Sequence, residues 1–213
     1  MTAALAIFVA SRMFWSPIWI PSGSMKPTLL VGDYILAQTF SGAPKRGDLI
    51  VYRHPVNEHD FVARIVAIGG DSILLKDGMV ILNDEALAQA VQPDFVEPFE
   101  LGGTAGMIPR CANAPVAQGG DCIKSMHTES FPSGRSYAVL DVGPSRFDNT
   151  PAFDVPPGHV FVLGDNRDNS IDSRMGEVAG GVGFVPVQNI RSVLRLVLFN
   201  FDLRPGRLLT VMK

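Results

Sequence analysis

From Gly32 onward the chain is written largely in two-residue alternation and short apolar runs, the pattern of half-buried and fully buried strands. Tyr34-Ile35-Leu36-Ala37, Leu49-Ile50-Val51-Tyr52 and Phe61 to Ile68 are predicted strands on this basis. Ile73-Leu74-Leu75 and Met79-Val80-Ile81-Leu82 flank Lys76-Asp77-Gly78, whose Asp-Gly step signals a tight hairpin. Between about residues 90 and 151 the periodicity weakens, Pro, Gly, Asn and Ser accumulate, and one strand is expected, at Tyr137-Ala138-Val139-Leu140. Regular strands return at His159 to Leu163 and Val193 to Phe199. No internal repeat stands out.

The 16 prolines and 21 glycines in 213 residues punctuate the chain too heavily for a helical protein and favour many short strands joined by turns. The length suits one domain, or a core with an inserted lobe at residues 90–151, and is ample for an apolar interior. A net charge of −3 and a pI near 5.8 leave no basic footprint, so nucleic acid is excluded as a partner class. At the N-terminus Thr2–Ala10 is small or apolar, but Ser11-Arg12 interrupts it before the roughly 20 residues that a membrane-spanning helix needs. It also lacks the basic region and cleavage site of a secretory signal. Met13 to Ile20 then carries both tryptophans, Trp15 and Trp19, residues suited to the boundary between lipid and water. Residues 1–20 read as the outer end of an anchor; a buried N-terminal strand is the alternative.

Two segments carry chemistry. Pro21-Ser22-Gly23-Ser24-Met25-Lys26-Pro27-Thr28-Leu29 presents serines on a glycine-loosened turn. Gly164-Asp165-Asn166-Arg167-Asp168-Asn169-Ser170-Ile171-Asp172-Ser173-Arg174 is a dense polar run, costly to bury unless its members satisfy one another. With Arg46-Gly47-Asp48 and Phe61-Val62-Ala63-Arg64-Ile65-Val66-Ala67 between them, these segments resemble type I signal peptidase, a family of membrane-anchored serine/lysine endopeptidases. The resemblance implies a mostly β fold: an antiparallel core (residues 21–89 and 152–213) with the inserted β-rich lobe at 90–151, behind an anchor remnant at 1–20. It also implies removal of signal peptides from exported pre-proteins, at the periplasmic face of a bacterial inner membrane, with membrane lipid as a further partner and neither metal nor cofactor.

Residue by residue, the resemblance implies Ser24 as nucleophile, with the Ser22 hydroxyl and the Ser24 N–H as oxyanion hole. Ser170 matches the serine that orients the base, and Asp172, Arg174, Asp165 and Arg64 match the supporting polar network. Asn166, Arg167 and Asp168 read as ties between the motif loop and the core. Met25, Trp15 and Trp19 belong to the substrate pocket and membrane interface.

The pattern breaks at the base, because the family's catalytic lysine falls on Ala63. A serine hydroxyl is a weak nucleophile without a base in reach. On strand alternation Ala63 shares its face with Phe61, Ile65 and Ala67, a dry slot that would keep an amine neutral but here holds a methyl group. Lys26 is near in sequence but would have to turn back on its own backbone, Arg64 does not deprotonate, and His54 and His59 read as exposed turns. A second departure, at Ile68-Gly69-Gly70-Asp71, where the family usually has a proline before the last glycine, favours natural divergence over an engineered change.

Two other readings keep the same motifs: a non-catalytic signal-peptide-binding paralogue, and a pilin-processing peptidase of a conjugation system. Cys111 and Cys122 allow one pairing, and the implied compartment outside the cytoplasm favours a disulfide over two free thiols.

Overall fold

The computed structural model describes residues 14–100, 108–202 and 206–212. The apolar stretch Thr2–Ala10 and the interruption at Ser11-Arg12 lie outside the described residues.

Fifteen strands are arranged in three antiparallel sheets among the described residues. The largest contains β1 (Trp15–Trp19), β2 (Asp33–Thr39), β14 (Ile190–Asn200), β3 (Leu49–Arg53), β4 (Asp60–Ile68), β12 (His159–Leu163) and β13 (Val185–Pro186) in that spatial order, and β15 (Thr210–Val211) pairs with β14. A second sheet joins β5 (Ser72–Lys76), β6 (Met79–Leu82), β7 (Glu85–Ala86) and β11 (Phe153–Asp154). The third is β8 (Ala88–Pro98), β9 (Asp121–Ser130) and β10 (Ser136–Asp141). The antiparallel, mostly β architecture expected from the sequence is the one observed.

Alternation along the central strands explains how the large sheet is buried on both sides. Ile35, Ala37, Leu49, Val51, Leu194 and Val197 point to one face, where Ile20, Met25 and Leu29 of the serine segment pack on them. Ile50, Tyr52, Ala63, Ile65, Val160 and Val162 point to the other, under Val182 and Val185. Val66, Phe161 and Leu163 meet Ile73, Leu75, Val80, Tyr137 and Val139, which ties the smaller sheets to the large one. Each fully buried aliphatic or aromatic side chain in these clusters contributes about 1.5–3 kcal/mol. The predicted hairpin is present: Lys76 pairs with Met79, and Asp77 and Gly78 both have positive φ (49° and 77°), as a two-residue type I′ turn requires.

One expectation is corrected. Residues 90–151 were expected to hold one strand, yet β8 and β9 run through them for most of their length. Their pattern is hidden because Pro93 falls where β8 shifts register between Gln92 and Phe95, and because two inward positions of β9 hold Lys124 and Glu129, polar residues whose burial is compensated by partners. At the other end, Trp15–Trp19 forms β1, paired with β2 from Trp15↔Gln38 to Trp19↔Tyr34. Among the described residues no helix is long and apolar enough to cross a membrane.

Candidate active site

The serine segment leaves β1 at Ile20 and crosses the end of the sheet as a run of turns. Its shape is set by local backbone bonds, Lys26 N–H to the Gly23 carbonyl (3.2 Å) and Leu29 N–H to the Met25 carbonyl (2.9 Å), and anchored by burial of Met25 and Leu29. The polar run after β12 meets it there. Asn166 donates its backbone N–H to the Ser24 carbonyl and its side-chain amide to the Gly23 carbonyl, both at 2.9 Å. The two motifs, 143 residues apart from Gly23 to Asn166, are thus joined through the backbone of the serine turn.

Ser22 Oγ and Ser24 Oγ lie 3.3 Å apart. Both half-buried hydroxyls open on a groove of about 860 Å³ lined by Ile20, Pro21, Met25, Phe61, Val62 and Ser170 among others. Gly164 sets how closely Ser170 approaches: a Cβ there would stand 2.2 Å from Ser170 Oγ and 2.9 Å from the Ser24 carbonyl, so only glycine fits. Leu163 lies opposite Arg64 in the β12–β4 pair. One step further along that register sets Gly164 opposite Ala63, and cross-strand partners project to the same face. The Ala63 methyl therefore lies on the side of the sheet where Ser170 and Ser24 converge, 3 % exposed among Ile50, Tyr52 and Ile65.

The surrounding charges are almost all paired. Arg64 and Asp165, both fully buried, form a two-pronged ion pair (2.8 and 2.6 Å), and Arg64 also donates to the Gly47 carbonyl and stacks on the Tyr137 ring. Burial opposes the Arg64 charge, but Asp165 outweighs it and holds the guanidinium above its ordinary value. Arg174 pairs with Asp172, whose carboxylate also accepts the Gly164 N–H (3.1 Å), fixing the glycine against the site. Arg167 reaches across to Glu129 on β9, which also accepts from the Tyr137 hydroxyl. Burial would raise the Glu129 carboxyl, yet these donors hold it below the usual carboxylate range. Asp168 accepts the Val142 N–H at 2.9 Å.

No lysine, histidine or carboxylate among the described residues hydrogen-bonds Ser24 Oγ. Lys26 does turn back on its own backbone, its Nζ 3.6 Å from where a Gly23 Cβ would stand. Its amine, however, is taken by Glu97 of β8, which it shares with Lys124 of β9 (2.6 Å). Burial alone would raise the Glu97 carboxyl, but the two ammonium groups bring it below its ordinary value; burial lowers Lys124. This tie between the serine turn and the third sheet had no sequence signal, since Glu97 and Lys26 are 71 residues apart.

His54 is corrected: its side chain, expected in an exposed turn, is buried, at 3 % exposure, although the turn that follows it is exposed. Its Nδ1 accepts the N–H groups of Val56 and Asn57, its ring packs 4.9 Å from that of Phe61, and burial lowers its pKa. An Nδ1 already accepting two N–H groups is unavailable as a proton acceptor. His59 is exposed, as expected. Trp15 is half-buried and Trp19 exposed on β1, and Cys111 and Cys122 form a disulfide beside the groove-lining Arg110. No cluster of metal-ligating side chains occurs among the described residues.

Comparison with known proteins follows the motifs. The model of the family described as signal peptidase, peptidase S26, matches residues 1–199. The chain is 29 % identical over 221 residues to signal peptidase I of Rickettsia prowazekii, covering 88 % of this chain and 73 % of that protein. It is 30 % identical over 209 residues to signal peptidase I of Rickettsia felis, covering 83 % and 68 %. A crystal structure of a signal peptidase I from Enterococcus faecalis aligns with a TM-score of 0.38 at 22 % identity, over 73 % of this chain and 99 % of that one. With the serine turn, the buried arginine–aspartate tie and the glycine-fitted Ser170 in one place, and a family match from residue 1 to 199, the chain belongs to the signal peptidase family, peptidase S26.

Proposed function

We propose that this chain is a signal peptidase I-type serine endopeptidase that removes signal peptides from exported pre-proteins at a membrane surface, and that its chemical step is slow because position 63 carries no amine. The observation that carries this reading is the pair of hydroxyls, Ser22 and Ser24, opening on a groove with Ser170 across from them.

The groove suits an extended peptide. β12 pairs with β4 only from Arg64 onward, so the edge of β4 at Asp60–Val62 lies on the groove, where a peptide can add as a further strand. Attack by Ser24 Oγ on the scissile carbonyl would form a tetrahedral oxyanion, which the Ser22 hydroxyl and the Ser24 N–H are suited to receive. The serine proton must leave as the bond to carbon forms and must reach the departing amine, after which water hydrolyses the ester. An amine from position 63 would perform both transfers; the methyl group present performs neither, and general acid–base help of this kind is worth about 10²–10⁴-fold.

The apolar slot around Ala63 also favours a second reading, a paralogue that binds signal peptides without cutting them. The test is a pre-protein with an Ala-x-Ala site, offered to the chain and to Ser24→Ala. Slow cleavage that vanishes in Ser24→Ala, with binding retained, supports the peptidase. Binding without cleavage in both supports the second reading. Cleavage undiminished by Ser24→Ala refutes the nucleophile assignment.

A further inference from the structure

The outward face of the large sheet at its β1–β2–β14–β15 end is apolar in rows. Trp19, Tyr34 and Phe199 are cross-strand neighbours in one row, with the Tyr34 and Phe199 rings stacked at 5.1 Å and Phe201 against both. Pro17, Leu36, Leu196 and Val211 form the next. The third row is Trp15, Gln38 and Val193, and there the chemistry changes. Gln38 and Val193 are also part of the wall of a cavity of about 230 Å³ on which Lys45, Arg135 and Arg195 converge.

Among the described residues these three cations face a single carboxylate, Asp48, which is already occupied. Its Oδ1 accepts from Arg135 at 2.9 Å and its Oδ2 from the Lys45 backbone N–H at 3.3 Å. Arg195 spends its Nε on Gln38 (3.1 Å), a neutral partner. The Lys45 and Arg195 side chains are exposed. Among the described residues the cavity therefore carries about two positive charges that no carboxylate compensates, on a chain whose net charge is −3. Such a chain is repelled by an anionic surface overall, so local positive charge beside the apolar rows has a directional effect: it favours the orientation that brings this rim to the anion.

We propose that this cavity binds the phosphate of an anionic phospholipid headgroup while the apolar rows beside it contact the lipid tails. The proposal rests on the reading that this sheet face meets a membrane. Phe201 at 60 % exposure and Val211 at 66 % supply apolar area, the tryptophans of β1 suit the headgroup level, and the cations stand at the Trp15 end of the strand. Trp19, at the other end, leads through Ile20 and Pro21 directly into the groove, so headgroup binding would hold the groove at a set height above the bilayer.

The experiment is co-sedimentation of the full chain with phosphatidylcholine vesicles and with vesicles also containing phosphatidylglycerol, for the parent, Lys45→Glu/Arg195→Glu and the control Lys76→Glu. The parent should favour the anionic vesicles. The double variant should lose this preference, by about five-fold for each cation removed, with neutral-vesicle binding unchanged. Lys76, exposed on the second sheet, should be indifferent. Equal losses in the control and the double variant would show diffuse charge and overturn the site. Retained preference in the double variant would also overturn it, and failure of the parent to bind either vesicle would overturn the membrane reading beneath it. Inorganic phosphate that competes at the cavity without any vesicle preference would make it a free-anion site and refute the lipid assignment.

Discussion

Ala63→Lys is the perturbation that reads the candidate site most directly. The methyl group is buried among Ile50, Tyr52 and Ile65, and the register of β12 on β4, carried one step past Leu163, sets it on the face of Gly164, against which Ser170 and the Ser24 carbonyl stand. Four added heavy atoms in a packed slot cost about 1–3 kcal/mol through displacement of neighbours. Desolvation adds to this by lowering the amine's pKa, by several units in the deepest cases, and leaves a neutral fraction near pH 8 that a lysine in water does not have. A neutral amine beside Ser24 can take the hydroxyl proton, and general-base help is worth about 10²–10⁴-fold, equivalent to about 2.7–5.4 kcal/mol of barrier. The expected result, with a fluorogenic Ala-x-Ala peptide in detergent, is a rise in kcat of that order with KM little changed, because the groove wall is not rebuilt. The melting temperature should fall modestly. Activity should disappear again in Ala63→Lys/Ser24→Ala. A folded Ala63→Lys chain with no gain in kcat would refute the placement of position 63 beside the nucleophile, and a parent already as fast as Ala63→Lys would show that another group serves as base.

Three further outcomes are expected. Asp165→Asn leaves the fully buried Arg64 without its counter-ion, a loss of about 3–5 kcal/mol that should lower Tm by about 6–20 °C in a chain of this size, measured by calorimetry; an unchanged Tm would contradict the burial of the pair. Gly164→Ala forces a Cβ to within 2.2 Å of Ser170 Oγ, so both Ser170 and the Ser24 turn must shift, at a cost of about 1–3 kcal/mol and with loss of whatever cleavage the parent shows. Glu97, held below its ordinary carboxylate value by Lys124 and Lys26, contributes stability that is full above its unfolded pKa and is lost as pH falls through the lower folded one. Tm measured against pH should therefore drop on the acid side, and Glu97→Gln should flatten that part of the curve; a parallel displacement of the whole curve would refute the role of this carboxylate.

Sequence alone determined the class of fold, because the short apolar runs of β3, β4 and β12 follow from burial on both faces of a sheet and the alternation along β2 from burial on one. The hairpin at Asp77-Gly78 was legible for a local reason: two consecutive positive φ values suit few residues other than Asp or Asn followed by Gly. The motifs around Ser24 and Ser170 were legible through their resemblance to type I signal peptidase, and the polar run at residues 164–174 also because so dense a run must be self-satisfying where it is buried. Strands β8 and β9 were not, since Lys124 and Glu129 at inward positions break the hydrophobic pattern and are tolerated only because Lys26–Glu97 and Arg167–Tyr137 close around them in three dimensions. His54 likewise reads as an exposed turn until its ring is seen to cap that turn from inside. Tertiary structure alone decided that the Lys26 amine, two residues from Ser24, is committed to Glu97. It alone gathered Lys45, Arg135 and Arg195 at one end of an apolar face, because ion pairs and charge clusters between distant strands follow from sheet order, which no local spacing encodes.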